Sequence, residues 1–159
     1  MSIKTFLYPT TSASTADLGW TTVRVIAGLI LTYYGAQKLF GAFGGNGFQG
    51  TVQYMTSTGI PAPLAVLAII AEFFGGLGLA VGFLSRIAAL GVFSTMMVAT
   101  SVHLKGIGGV AGFGVGKIPD VNLVFFPFLI GIVALGVIIS GAGRLSLDAK
   151  VFGPKDTNQ

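Results

Sequence analysis

The sequence of 159 residues contains 53% hydrophobic and only 9% charged residues, with a formal net charge of +4. A water-soluble domain has about a quarter of its residues charged, so this composition excludes an ordinary soluble protein. The nine Lys and Arg residues are scattered and form no concentrated basic face, which argues against nucleic-acid binding. The absence of cysteine excludes disulfides and thiolate metal sites. We therefore expect an integral membrane protein.

Hydrophobic segments of bilayer-crossing length are predicted at residues 20–43, 62–84, 87–103 and 121–140. A helix needs about 20 mostly apolar residues to cross the hydrocarbon core. A polar N-terminal arm, residues 1–19, precedes a single four-span domain, residues 20–143, and a polar tail, residues 144–159, follows it. The arm lacks the apolar core of a cleavable signal peptide, so the first span is expected to act as an uncleaved signal-anchor.

Residues 44–63, between the first two spans, are predicted to contain a short helix in the membrane interface. Phe48, Val52 and Met55 recur at helical spacing, with glutamine and threonine side chains opposite them. This pattern is too short to cross a bilayer and is typical of an interfacial helix. The predicted fold is therefore an all-α membrane protein, a four-transmembrane-helix bundle with a short interfacial helix between spans one and two.

The basic residues predict the orientation of the chain in the plasma membrane. With an even number of spans, both termini and the turn between spans two and three lie on one side. That side holds six basic residues, Lys4, Arg24, Arg86, Arg144, Lys150 and Lys155, whereas the other holds three, Lys38, Lys105 and Lys117. Cytoplasmic segments carry the excess of Lys and Arg, so we predict a multi-pass protein with both termini in the cytoplasm.

Glu72 lies about midway along the predicted second span. A carboxylate at that depth costs several kcal/mol unless it is protonated, paired or hydrated. An acid inside the membrane is a candidate functional residue. The alternative, which stays open, is a neutral or paired Glu72 that only fixes the packing of the helices.

The first span carries the candidate partners of Glu72 on one helix stripe. Its members step by four and three residues, namely Arg24, Gly28, Leu31, Gly35 and Lys38. Two cations and two glycines on one stripe indicate that the stripe faces the bundle interior. Lys38 lies slightly above Glu72 in depth, and it either pairs with Glu72 or extends to the nearby surface. Arg24 lies near the cytoplasmic surface, where snorkelling explains its charge.

Other residues near this depth are candidates for polar contacts or packing. Tyr33, Tyr34 and Gln37 reach the height of Glu72 on the first span. His103 closes the third span, as an interfacial residue or as a site of proton exchange. One histidine without cysteine makes no metal site, so none is predicted. Small residues on the second span favour close helix packing, namely Gly75, Gly78 and Gly82.

The glycine-rich loop, residues 105–120, contains only loose matches to nucleotide-binding motifs. No strand precedes the glycines and no βαβ unit surrounds them, so we reject a dinucleotide fingerprint and a phosphate-binding loop. A loop of this composition is expected to cap the mouth of the bundle.

Taken together, these residues resemble the DoxX family of small four-span membrane proteins. The resemblance covers residues 23–148 and depends on the order and spacing of several short pieces. These pieces are Arg24 with Gly28, Gly35 and Lys38; Gly59-Ile60-Pro61-x-Pro63; Glu72 with Gly75-Gly76, Gly82 and Arg86-x-Ala88-Ala89; His103; and Gly141-x-Gly143-x-x-Ser146-Leu147-Asp148. The chain departs from the family pattern before the fourth span, where members commonly carry an acid in a Glu-Tyr-Pro-like context. This chain has Pro119-Asp120-Val121-Asn122-Leu123 there, with Asp120 as the candidate substitute.

The resemblance implies a redox role, because relatives include the DoxD-related subunit of thiosulfate:quinone oxidoreductase and proteins linked to oxidative stress or quinone detoxification. The leading hypothesis is a subunit or accessory of a quinone-linked respiratory or oxidative-stress system. Glu72 and Lys38 are its predicted catalytic residues, and Tyr33, Tyr34, Gln37 and His103 its predicted quinone contacts. Arg24 and Arg86 are predicted structural residues, together with the glycines at 28, 35, 75, 78 and 82.

The expected partners are the lipid bilayer and other membrane or redox subunits, or a second copy of the chain, with no nucleic acid. No cofactor is identifiable in the sequence; a bound quinone is the candidate that the resemblance suggests, and electrons would come from a partner. Two alternatives stay open: a non-enzymatic scaffold or assembly subunit, and a small-solute carrier. The sequence does not decide whether the chain is an enzyme by itself.

Overall fold

The computed structural model describes residues 15–106 and 122–153. Within these ranges every regular element is helical, which confirms the all-α prediction. The α-helices are α1 (Thr15–Phe40), α2 (Gly47–Ser57), α3 (Ala62–Val81), α4 (Ser85–Gly106), α5 (Asn122–Ser140) and α6 (Leu147–Phe152), with one 3-10 turn at Ala42–Gly44. The glycine-rich loop from residue 107 to 121, including Lys117 and Asp120, lies outside the described residues, as do residues 1–14 and 154–159 with Lys4 and Lys155.

Three of the described helices, α3, α4 and α5, are long and apolar enough to cross a membrane. The first helix, α1, has 26 residues and is the longest, but it is more polar because it carries Asp17, Arg24 and Lys38. By length and composition the described part of the chain thus supplies three spans, where the sequence predicted four. The crossing by α1 and the interfacial position of α2 stay predictions.

Several helix boundaries differ from the predicted spans. Residues 15–19, assigned to the N-terminal arm, form the first turn of α1. The negative charge of Asp17 in this turn interacts favourably with the positive end of the helix dipole. Gly41 and Gly82 have φ of 71°, so α1 and α3 end earlier than expected, at Phe40 and Val81. The turn between α3 and α4 is therefore residues 82–84, and α4 continues past His103 to Gly106.

The predicted polar tail contains an element that the sequence analysis missed. Residues 147–152 form α6, and the Ser146 hydroxyl caps this helix by accepting a hydrogen bond from the Ala149 N–H at 3.1 Å. Asp148 in the first turn is buried. The segment is therefore packed against the bundle as part of the folded domain.

The helices pack as α1 on α3, α3 on α4, and α4 on α5. Glycines permit the closest of these contacts, since a Cβ added to Gly76 would lie 2.7 Å from the Thr32 nitrogen. The core is formed by apolar side chains of four helices, namely Ala27, Leu31, Leu79, Ala89, Val92, Met96, Ile130, Ala134 and Val137. Large apolar side chains also cover the outside of the bundle, as a bilayer requires and water does not permit.

Candidate functional site

A cleft of about 770 Å³ lies between α2, α3 and α4, at the end of the bundle where α1 finishes. This volume is typical of a small-molecule site. Most of its wall is apolar, and eight polar side chains line it: Lys38, Thr51, Tyr54, Thr58, Glu72, Ser94, Thr95 and His103. The cleft is therefore an apolar space with a polar region on one wall.

Lys38 and Glu72 form an ion pair on this wall. The Lys38 ammonium lies 2.6 Å from each carboxylate oxygen of Glu72. Glu72 is 3% exposed, whereas Lys38 is 35% exposed, so the lysine keeps part of its surface toward the cleft. Of the two positions left open by the sequence, the structure has Lys38 paired with Glu72 rather than extended to the surface.

Local structure brings these two side chains together. Lys38 lies in the last turn of α1, where the helix C-terminus favours a cation. At Gly35 a Cβ would lie 2.5 Å from the Phe73 nitrogen, so the glycine lets α1 approach α3 next to Glu72. The buried Thr51 of α2 donates a hydrogen bond to the Lys38 carbonyl at 3.4 Å, which fixes α2 beside the end of α1.

The structure brings His103 to the same cleft, in the last turn of α4. Thr51, Ser94 and Thr95 also line it, and the sequence analysis did not single them out. Ser94 and Thr95 are adjacent hydroxyls in the otherwise apolar middle of α4, between Ile87 and Ala99. That pattern was the available signal that one side of α4 faces a polar site.

Tyr33, Tyr34 and Gln37 do not line the cleft, although the sequence placed them at the depth of Glu72. The Tyr33 ring stacks on Phe43 with centroids 4.7 Å apart, and the Tyr34 ring lies 5.3 Å from Phe126. Depth along a helix does not fix the direction of a side chain around its axis. Their predicted contact with a quinone therefore has no support from the cleft geometry.

Arg24 is buried rather than extended to the membrane surface, so the snorkelling expectation was wrong. Its guanidinium donates hydrogen bonds to the carbonyls of Leu79 and Ala80, the latter at 3.0 Å, and to the Leu145 carbonyl at 3.0 Å. It is 1% exposed. Because the carbonyls at a helix C-terminus lack intrahelical partners, Arg24 caps α3 and holds the C-terminal segment against it.

Asp148 performs the complementary task at the start of α4. Its carboxylate accepts hydrogen bonds from the N–H groups of Leu84 at 2.7 Å and Ser85 at 2.9 Å. Its own N–H donates to the Gly82 carbonyl at 2.8 Å. A carboxylate at a helix N-terminus accepts hydrogen bonds from N–H groups that lack intrahelical partners and interacts favourably with the positive end of the helix dipole. This buried acid, absent from the predicted site residues, stabilises the α3–α4 turn.

The remaining predicted structural residues lie at close helix contacts. A Cβ at Gly75 would approach Val92 Cγ2 to 2.8 Å, and one at Gly78 would approach Ala88 Cβ to 2.8 Å. The Arg86 side chain donates to the Ile139 carbonyl at 3.1 Å, which joins α4 to the end of α5. Within residues 15–106 and 122–153, no three His, Asp or Glu side chains gather as in a metal site.

Residues 19–104 match the DoxX family model, which is more than half of the chain. The protein belongs to the DoxX family. The matched region contains Lys38 and Glu72, the two charged residues of the cleft, and His103. It also contains Arg24, one of the two buried charged residues at the opposite end of the bundle. Asp148 lies beyond it.

Three relatives of this DoxX protein illustrate its range of similarity. "Putative oxidoreductase CatD" of Bacillus subtilis (strain 168) is 26% identical over 143 residues, which cover 89% of this chain and 94% of the relative. "Inner membrane protein YphA" of Escherichia coli (strain K12) is 32% identical over 132 residues, covering 80% and 86%. "Inner membrane protein YqjF" of the same organism is 35% identical over 74 residues, covering 46% and 52%. No solved structure matches with significant similarity.

Family membership and the apolar helices identify a membrane protein. Two relatives are named as inner membrane proteins, and one name refers to oxidoreductase activity. These names describe the relatives.

Proposed function

We propose that this DoxX protein is the quinone-binding membrane subunit of a redox system, and that the quinone ring occupies the cleft beside Lys38 and Glu72. The observation that carries the proposal is an ion pair on the wall of an apolar cleft of quinone-compatible size. A quinone combines an apolar ring with two carbonyl oxygens. Its site therefore needs an apolar space, a hydrogen-bond donor for a carbonyl oxygen and, beside it, an acceptor for the hydroxyl of the reduced form.

The ion pair has the groups that quinone chemistry requires. The Lys38 ammonium, partly exposed toward the cleft, donates a hydrogen bond to a quinone carbonyl oxygen. The Glu72 carboxylate accepts a hydrogen bond from the hydroxyl of the reduced form. Reduction of a quinone to a quinol consumes two electrons and two protons; the electrons come from a partner redox subunit, and protons pass at the oxygen atoms through these side chains.

The proposal includes a four-span topology. At about 1.5 Å per residue, the 26 residues of α1 extend about 39 Å, which is enough to cross a bilayer beside α3. The 11 residues of α2 extend only about 16 Å, and its exposed Phe48 and Tyr54 are suited to the interface. In the proposed topology the side richer in Lys and Arg is cytoplasmic, so both termini lie in the cytoplasm and the cleft lies near the outer surface.

The test is equilibrium binding of a short-tailed benzoquinone to the purified protein in lipid nanodiscs. We expect Glu72→Gln to weaken binding about tenfold or more, because hydrogen bonds to charged groups contribute about 1.5–3 kcal/mol. The matched control is Asp17→Asn, which removes a carboxylate near Gly143, at the other end of α1. Unchanged affinity in folded Glu72→Gln, or no binding to the wild type, contradicts the proposal.

A non-enzymatic scaffold is the second candidate function, because the same ion pair joins α1 to α3 and thereby fixes their packing. A purely structural pair predicts a wild-type protein that binds no quinone. It also predicts that replacing both partners, Lys38→Met with Glu72→Leu, leaves the partner complex intact. Extraction of the double variant with its partners from the membrane, compared with the wild type, distinguishes the two functions.

A further inference from the structure

A second, shallower cavity of about 450 Å³ continues from the cleft along the contact of α3 with α4 and is open on the outer face of the helices, where Phe74, Val81 and Ile87 are about half exposed. The two cavities share three lining residues, Ile70, Ala71 and Gly91. Among the described residues, every side chain that lines the second cavity is apolar, and the others are glycines. It ends beside Phe83 and Ile87, at the far end of α3.

The second cavity gives the site a length that a ring alone does not fill. From Glu72 to Val81, which also lines it, α3 rises about 14 Å. The junction with the cleft is shaped by the small residues Ala71 and Gly91, since a Cβ added to Gly91 would lie 3.4 Å from Ala71 Cβ. A larger side chain at position 91 would therefore narrow the passage between the two cavities.

The polar and apolar parts of this space are arranged so that they match a molecule with a polar head and an apolar tail. Hydrogen-bonding groups lie at one end, around Lys38 and Glu72, and an uninterrupted apolar groove leads away from them. Inside a bilayer, lipid tails are as apolar as the groove, so burial of a chain there brings little hydrophobic free energy. The groove acts instead through shape, by directing a chain whose polar head is held at the ion pair.

We infer that the two cavities form one elongated site for a quinone with a long isoprenoid tail, with its ring in the cleft and its tail along α3 and α4 toward Ile87. This inference rests on the proposed function and adds the class of substrate and the direction from which it enters. A short soluble quinone would fill only the cleft and leave the second cavity to lipid.

The position of the tail can be mapped with two photoreactive long-tailed quinones, one labelled on the ring and one at the tail end. Each is bound to the full chain in phospholipid nanodiscs, irradiated, and located by peptide mass spectrometry. We expect the ring label near Glu72 and the tail label near Phe83 and Ile87. An excess of unlabelled long-tailed quinone should abolish both signals.

Two variants block the groove at different points. Gly91→Leu narrows the junction, and Ile87→Trp fills the far end at a side chain that is 59% exposed and therefore tolerant of change. Both should reduce the tail label near residues 83–87 at least severalfold, and Ile87→Trp, which lies outside the cleft, should keep the ring label. The control is Leu90→Phe, since Leu90 is 57% exposed and lines neither cavity; it should leave both labels unchanged.

The outcomes separate this inference from the proposed function. A ring label near Glu72 with a tail label spread over the outer faces of the helices overturns the inference and keeps the quinone site. The same holds if Gly91→Leu and Ile87→Trp leave the tail label unchanged, or if phospholipid competes with it as well as quinone does. A ring label that unlabelled quinone does not displace overturns both.

Discussion

Glu72 is held in a position where it depends on Lys38. Its carboxylate is 3% exposed, and the lysine ammonium lies at hydrogen-bond distance from both of its oxygens. Lys38 is 35% exposed and reaches polar surroundings more easily. The two partners therefore differ in what each loses when the other is removed, because an unpaired buried charge is costly and a partly exposed one much less so.

This asymmetry predicts the stability of single and double variants. Lys38→Met should destabilise the protein by about 2–3 kcal/mol, because Glu72 then stays buried without a cation. Glu72→Leu should cost only about 1 kcal/mol or less, since Lys38 extends toward the surface. Lys38→Met with Glu72→Leu should be more stable than Lys38→Met alone. Thermal unfolding in detergent measures all four proteins; equal, additive losses would show that the pair is not coupled.

At the level of single residues, the sequence predicted the stripe that contains Lys38 and the buried acid Glu72, because helical spacing and the cost of a charge in hydrocarbon are local properties. It assigned the wrong surroundings to Arg24 and the wrong direction to Tyr33 and Tyr34. Asp148 was quoted in the family resemblance but given no role, because its partners, the N–H groups of Leu84 and Ser85, lie more than 60 residues away in the chain.

The helices of this protein are held together largely by glycine contacts. At the crossing of α1 with α3, a Cβ on Gly76 would lie 2.7 Å from the Thr32 nitrogen and 2.9 Å from the Gly28 carbonyl oxygen. Backbone atoms cannot move aside as a flexible side chain can. The distance between α1 and α3 at this crossing is therefore fixed. It positions Lys38 against Glu72, which lie one to two turns further along the two helices.

Gly76→Ala should separate α1 from α3 and destabilise the protein by about 1–3 kcal/mol, as overpacking does in a rigid core. The matched control is Gly19→Ala, near the start of the partner helix α1, with no atom within 4 Å of the added Cβ. That change should stabilise by about 0.5–1 kcal/mol, because alanine favours a helix over glycine. Equal unfolding temperatures for both variants in detergent would refute the role of the crossing.

At the level of elements, hydrophobic segments predicted all four long helices but not their ends. The ends are set by left-handed glycines such as Gly41 and Gly82, whose φ angles composition alone does not indicate. The helix α6 was missed because its six residues are too few for periodicity. Ser146 followed by an acid was its local signal, a typical helix N-cap pattern.

As a whole, the molecule has two unlike ends. One end carries the cleft with its ion pair, and the other carries Arg24 and Asp148, whose hydrogen bonds close the turn between α3 and α4. The first end is an open cleft with polar side chains on one wall, whereas at the second end the Arg24 guanidinium and the Asp148 carboxylate are buried and hydrogen-bonded to backbone groups. We therefore place the chemistry at the first end and assign stability to the second.

The predicted orientation puts the closed end in the cytoplasm. The chain contains no cysteine, so single cysteines report sidedness without background. Lys150→Cys in α6 and Gln53→Cys in α2 lie at opposite ends, and both positions are exposed. In intact cells a membrane-impermeant maleimide should label Gln53→Cys and should label Lys150→Cys only after permeabilisation, because basic residues favour the cytoplasmic side. The reverse pattern would invert the proposed topology.

The proposed function requires that the cleft beside Lys38 and Glu72 holds a quinone. Its most direct test is lipid mass spectrometry of the protein extracted gently from its native membrane, as wild type, Glu72→Gln and Asp17→Asn. We predict about one quinone per chain in the wild type and in Asp17→Asn, and its loss from folded Glu72→Gln. A folded wild-type protein without quinone, or equal quinone in all three proteins, would contradict the account.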